Sequence, residues 1–265
     1  MRLPVSCRAV VTGAGGGLGR ALALELSDRQ AHLVLGDVDV AATEETARLA
    51  RARGAGSVQV VRSDVTKLAD VEGLALACDG PIDLVVNNAG VASAGLIGVL
   101  PIEDWRWTLE VDLFGVIHGC HVFVPRLRAQ GSGHILNVAS AAGIVSPPRM
   151  AAYNVAKAGV IALSETLAAE LEGSTIGVTV LCPTFFQTNI AAHGRFVDER
   201  FRELGKRLVE RGPKADRIAR AAIESVERGE LYALPMAEAR WLWTVKRFAP
   251  RAFSKIFAWI SNRRS

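Results

Sequence analysis

Tyr153 and Lys157 stand four residues apart in a chain of 265 residues. On a helix, such a pair lies on one face. An ammonium beside a phenol favours the phenolate, so Lys157 is expected to lower the pKa of Tyr153. Taking a tyrosine from about 10 to about 7 requires roughly 4 kcal/mol of preferential stabilisation. A phenol tuned in this way can give a proton to a developing alkoxide or remove one from an alcohol. Ser140, at the end of an apolar run, can hold the same oxygen. A Tyr-x-x-x-Lys pair alone is more often a surface feature, and the rest of the sequence decides its meaning.

The second feature is Thr12-Gly-Ala-Gly-Gly-Gly-Leu-Gly19. It falls between a β-branched run (7–12) and a stretch with helical apolar spacing (18–27). Glycine lets backbone N–H groups approach a phosphate, and the N-terminus of the following helix adds partial positive charge. The spacing Gly13, Gly17, Gly19 differs from the common GxGxxG fingerprint, and no Gly-Lys-Ser/Thr follows as a P-loop would need. Asp37 ends the next apolar run. A carboxylate there can accept both ribose hydroxyls of an adenosine and would repel a 2′-phosphate. That predicts NAD over NADP, because the neighbours Gly16 and Val38 are not basic and Arg20, on the helix, is expected to be solvated. Asp64 is placed either to face an adenine amino group or to cap a helix beginning near Lys67.

These residues need a frame to hold them. Apolar runs at 32–36, 58–61, 82–86, 134–138 and 176–181 read as strands. They alternate with helical stretches at 41–53, 67–78, 103–130 and 152–172. Near-continuous apolar strands are covered on both faces. Together these features predict an α/β fold: one doubly wound parallel sheet of about seven strands with helices on both sides. Half of the residues are hydrophobic and 22% are charged, as a globular chain requires. Cys7, Cys78, Cys120 and Cys182 lie too far apart for a zinc cluster or a disulfide framework, which suggests a reducing, cytoplasmic setting. The start of the chain is too short before the glycine-rich turn to hold a signal peptide. His118 and His121 lack a third ligand at metal spacing, so no metal is expected.

In this order, the motifs resemble those of the short-chain dehydrogenase/reductase family. The matching pieces are the turn Thr12–Gly19, Asn87-Asn-Ala-Gly90, Ser140, and Tyr153-x-x-x-Lys157 thirteen residues beyond the serine. The likeness spans about residues 5 to 235. It implies reversible hydride transfer between a nicotinamide and an alcohol or ketone, with Tyr153 as acid/base, Ser140 beside it and Lys157 on the nicotinamide ribose. It also implies cofactor contacts from Gly13, Gly15, Gly16, Gly17, Leu18 and Gly19, from Asp37, Asp64 and Val65, and from Asn88, Ala89 and Gly90. Tyr153, Lys157, Pro183, Phe186 and Thr188 complete that expected set. Dimers or tetramers formed through the helices at 103–130 and 152–172 are a further implication. The chain departs from the family at two places. Where the family has an asparagine in a proton relay, this chain has Asp112, which cannot donate as asparagine does when ionised. The family's Pro-Gly-x-x-x-Thr reads Pro183-Thr-Phe-Phe-Gln-Thr188, with Phe185 and Phe186 forming a nicotinamide wall or packing under the loop.

Residues 189–212 are expected to be a lid whose apolar side is Ile190, Phe196, Phe201 and Leu204, suited to a hydrophobic alcohol or ketone. Arg149 beside the pocket is expected to be solvated. The chain divides into a catalytic, NAD-binding domain at 1–235 and a tail at 236–265. From Ala239 onward the tail has seven basic residues and no acidic one, against a formal net charge of +4 for the whole chain. It also carries three of the five tryptophans. Two short helices, 236–247 and 251–262, would gather Trp241, Val245, Phe248, Ala252, Ile256 and Trp259 on one side. Such a segment either packs on the enzyme or a second copy, or lies on an anionic membrane; nucleic acid is not expected. Epimerisation or dehydration on the same fold, and a non-catalytic nucleotide-binding role, are the competing readings.

Overall fold

The structure, a computed structural model, describes residues 3–251 together with Phe253 and Lys255. The chain opens with β1 (Arg8–Thr12), α1 (Gly17–Ser27), β2 (His32–Asp37), α2 (Val40–Ala52) and β3 (Ser57–Arg62). Next come α3 (Leu68–Leu76), β4 (Leu84–Asn87), the two-residue β5 (Ser93–Ala94) and α4 (Ile102–Leu109). After a π-helical turn at Glu110–Phe114 follow α5 (Gly115–Gln130), β6 (Gly133–Val138), the short α6 (Ala141–Val145) and α7 (Ala151–Glu170). The remainder is β7 (Ile176–Leu181), β8 (Arg195–Phe196), α8 (Glu199–Glu210), α9 (Ala215–Arg228), β9 (Tyr232–Ala233) and α10 (Ala237–Phe248).

Seven strands form one parallel sheet in the order β3-β2-β1-β4-β6-β7-β9. Chain direction across the sheet reverses between β1 and β4, so a crevice opens there at the carboxyl ends of the strands. Alternate residues of each central strand feed two cores. Val11, Leu35 and Val86 pack with Leu22 of α1 and Ile223 of α9. Val10, Val34, Val85 and Ile135 pack with Phe123 of α5 and Val160 of α7. The close fit of α5 on β4 depends on Gly119, where an added Cβ would fall 2.0 Å from Asn87 Oδ1.

The stretch expected as one helix over 103–130 is divided by the π turn. A π turn adds a residue to the helical repeat and rotates the side chains after it. All four cysteines are buried and unpaired. Burial pushes the thiols of Cys7, Cys78 and Cys120 up to about 11 and that of Cys182 to about 12.

Candidate active site

At the crevice, β1 runs into the glycine-rich turn. Gly13 (φ +67°) and Gly17 (φ +51°) take the left-handed conformation that favours glycine. Gly19 permits α1 to sit on the turn, since a Cβ there would be 2.1 Å from Gly13 O. Gly16 is extended and faces open space, and no side chain caps α1. The first amides of the helix, from Gly17 through the buried Leu18 to Gly19, therefore lack a partner within the helix. Thr12 anchors the neighbouring loop: its Oγ accepts the backbone N–H groups of Asn88 (3.0 Å) and Ala89 (3.1 Å). Asn88 in turn donates from its amide to Thr12 O (2.9 Å) and Gly13 O (3.1 Å). Thus the Asn88 side chain holds the turn, while Ala89 and Gly90 border the crevice with backbone.

Asp37 ends β2 beside this turn. Its carboxylate accepts from Gly15 N at 2.8 Å and Asp39 N at 3.0 Å and stays partly exposed. Arg20 is not solvated as expected. Its guanidinium donates to Gly15 O (2.6 Å), Ala42 O (3.2 Å) and Thr46 Oγ (2.9 Å), which fixes it between α1 and α2. Asp64 does not cap α3 either. It closes a turn by accepting from Thr66 N (3.1 Å) and Thr66 Oγ (2.7 Å), and Lys67 takes the capping position. Val65 is buried, with its methyl 2.7 Å from where a Cβ on Gly115 would lie.

Ser140 follows β6 in extended conformation and caps α6, its Oγ accepting from Ala142 N at 3.1 Å. A Cβ on Gly143 would strike the backbone at Lys157 at 2.6 Å, so α6 lies hard against α7. This contact brings the Ser140 hydroxyl close to the Tyr153 phenol, where it favours the phenolate. The Lys157 ammonium, one turn along α7, sits 5.7 Å from the Tyr153 ring centroid. It donates to Val138 O at 3.1 Å and pairs with Asp112 at 3.5 Å.

Asp112, set inward by the π turn, is completely buried, and its Oδ1 accepts Val91 N at 2.7 Å. Burial pushes the Asp112 carboxyl above the usual range, against the pull of Lys157. Burial first, and then the Asp112 charge, push the Tyr153 phenol above its ordinary value, and the nearby Ser140 hydroxyl only partly offsets them. The ammonium expected to lower it is engaged by a carboxylate.

The far wall follows β7. Pro183 is buried and its carbonyl accepts Ala141 N at 2.9 Å. Phe186 packs against the core, whereas Phe185 is exposed. Thr188 closes over the glycine-rich turn, its Oγ 2.8 Å from where a Cβ on Gly17 would lie. Thr184, in place of the family's glycine, donates to Glu238 of α10 at 3.1 Å. The lid contains β8, which pairs with β5, and α8, capped by Asp198. Arg149 stays partly solvated and meets Asp198 at 3.3 Å. Between this pair and Ala94, Leu96, Val99, Val197 and Phe201 lies a cleft of about 170 Å³. Leu204, expected on the inner side of the lid, is exposed.

The tail does not pack by the stripe read from the sequence. Met236 and Ala239 join the core, Trp243 stacks near Tyr232 with centroids 5.2 Å apart, and Lys246 bonds Ile144 O. Trp241 and Phe248 are 64% and 82% exposed. Ala252, Ile256 and Trp259, with most of the second expected helix, lie outside the described residues.

A doubly wound sheet with a glycine-rich turn at its switch point and a Ser-Tyr-Lys cluster across the crevice defines a class of dinucleotide-dependent enzyme. Residues 8–195 match the family described as short chain dehydrogenase, and the chain belongs to the short-chain dehydrogenase/reductase family. It is 33% identical over 263 residues to the Mycobacterium tuberculosis oxidoreductase SadH, covering 94% of this chain and 93% of that one. A Burkholderia phymatum short-chain dehydrogenase/reductase solved with NAD superposes with a TM-score of 0.88 at 34% identity, over 93% of this chain and 95% of that one. A Sphingobium yanoikuyae short-chain dehydrogenase solved with NADPH gives 0.78 at 26%, over 94% and 95%. The protein is thus an NAD(P)-dependent oxidoreductase. Its unblocked amides at the start of α1, the open Gly16 and the partly exposed carboxylate of Asp37 fit a dinucleotide.

Proposed function

We propose that the protein interconverts a hydrophobic secondary alcohol and its ketone using NAD(H). The observation that carries this reading is the convergence of Ser140, Tyr153 and Lys157 at the sheet's carboxyl edge. When bound there, the cofactor supplies or accepts the hydride. Ser140 donates a hydrogen bond to the carbonyl oxygen while Tyr153 gives that oxygen a proton, or takes one from the alcohol in the reverse direction. Lys157 places its positive charge beside both the phenol and the ribose site. The apolar lining of the cleft under the lid favours an apolar substrate, because its two charged residues, Arg149 and Asp198, are paired with each other.

NAD is the cofactor this reading favours. Asp37 occupies the ground a 2′-phosphate would need, and Arg20 is held by Gly15, Ala42 and Thr46. The test is kcat/KM with each cofactor on a panel of hydrophobic alcohols. Preference for NAD, narrowed by Asp37→Ser, is the expected result. Equal efficiency with both cofactors in the unaltered protein overturns the assignment, and substrate conversion without net change in NADH would point to epimerisation or dehydration.

A second surface has its own role in this reading. The exposed Trp241 and Phe248, flanked by the exposed Arg240, Arg247 and Arg251, give α10 an apolar and basic outer side while its inner side packs on the enzyme. We read it as a peripheral contact with anionic lipid.

A further inference from the structure

Three elements converge on one buried ion pair. The π turn supplies Asp112, α7 supplies Lys157, and the loop after β4 closes over both. A Cβ on Gly90 would come within 3.3 Å of Asp112 Oδ1 and 3.4 Å of Lys157 Nζ. Asp112 Oδ1 is satisfied by Val91 N, but Oδ2 is buried with no hydrogen bond and faces the ammonium at 3.5 Å. The ionisable groups around the Tyr153 hydroxyl are Lys157 on its own helix, Asp112 from the π turn and the Cys182 thiol after β7. Burial keeps that thiol protonated at neutral pH.

We propose that Asp112 is a positioning residue that offsets the Lys157 charge, so that at neutral pH Tyr153 gives a proton to a carbonyl more readily than it takes one from an alcohol. The inference rests on the reading of Tyr153 as the acid. With a neutral asparagine at this place, a phenolate would face an uncompensated cation. With Asp112 it faces a pair of no net charge inside a dry site, so its charge is poorly stabilised. In the reduction, a bound nicotinamide would supply the hydride to the carbonyl carbon. The carbonyl π pair moves to oxygen, and that oxygen takes the Tyr153 proton. The phenolate left behind is strongly disfavoured and recovers a proton from solvent.

The chain has two tyrosines, which makes the proton visible without turnover. Tyr232, the other one, bonds Glu165. Near-ultraviolet titration of phenolate absorbance in the cofactor-free protein, with the Tyr153→Phe curve subtracted, isolates Tyr153. It should ionise above an ordinary tyrosine, and Asp112→Asn should lower its midpoint by about one pH unit or more. The rising, acid-side limb of the pH profile of kcat for alcohol oxidation, where Tyr153 must be ionised, should move down with it. An unchanged midpoint overturns the proposal, as does a loss of rate at every pH with no movement of the profile. Asp112→Ser removes the same charge and takes over if the asparagine variant does not fold. A lowered midpoint in a protein that turns over no alcohol or ketone would support the pairing and fault the functional reading instead.

Discussion

A single oxygen atom separates tyrosine from phenylalanine, and at position 153 the proposed chemistry depends on it. Tyr153→Phe should reduce turnover by about 10²- to 10⁴-fold, with NADH affinity in a fluorescence titration close to unchanged. Retention of most of the rate would remove Tyr153 from the mechanism. The sequence displays this cluster openly, because side-chain type and short spacing encode Ser140, Tyr153 and Lys157 as neighbours once a strand and a helix are granted. What it hides is how neighbours spend their hydrogen bonds. Nothing local to Asn88 reveals that its amide holds Thr12 and Gly13, or that Arg20 is committed to three oxygens. Asp112 is visibly unusual in sequence. Its pairing with Lys157 depends on the π turn and on a loop from another part of the chain, so only the fold discloses it.

Apolar runs leave a signal that survives without context: β2, β4, β6 and β7, buried along most of their length, fall where such runs lie, and so does the edge strand β3, whose residues are half-buried or exposed. Two-residue strands such as β5, β8 and β9 have no periodicity to read and exist only through their partners. The π turn is equally silent, since it alters a helix without ending it. Between β6 and β7, packing creates a pH liability. His134 is buried with its ring against Gly177 and Nε2 bonded to Thr179 Oγ at 2.8 Å. Burial pushes its pKa down to about 4. The unfolded chain, with a histidine near 6.5, binds the proton more readily. The stabilisation is therefore fully present above about pH 6.5 and is lost as pH falls toward 4. Its full size is about 3 kcal/mol. Urea denaturation at pH 7 and pH 5 should show the loss, and His134→Gln should flatten the part of it due to this ring. An identical pH dependence in the variant would mean that other groups control acid stability.

At the scale of the whole molecule, charge is divided unevenly between the body and the segment from Ala239 onward, where all seven charged residues are basic. If the outer side of α10 meets lipid, the full-length protein should co-sediment with phosphatidylserine vesicles in a salt-sensitive way. A protein ending at Pro235 should stay in solution. Equal absence of binding in both, with altered light scattering in the shorter one, would assign the tail to assembly. The exposed Phe114 and Val155, at the π turn and on α7, place apolar surface where a dimer or tetramer can form. The four cysteines lend the molecule a built-in clock. Each thiol is buried in a different part of the fold, before β1, after α3, on α5 and after β7, and is held in its unreactive protonated form. A thiol reagent added to the folded protein can therefore react only as fast as the structure opens. Cys182, immediately after β7, would time the opening of the active-site wall, while Cys7 would time the edge of the opposite core, so one reagent can compare how the two regions breathe.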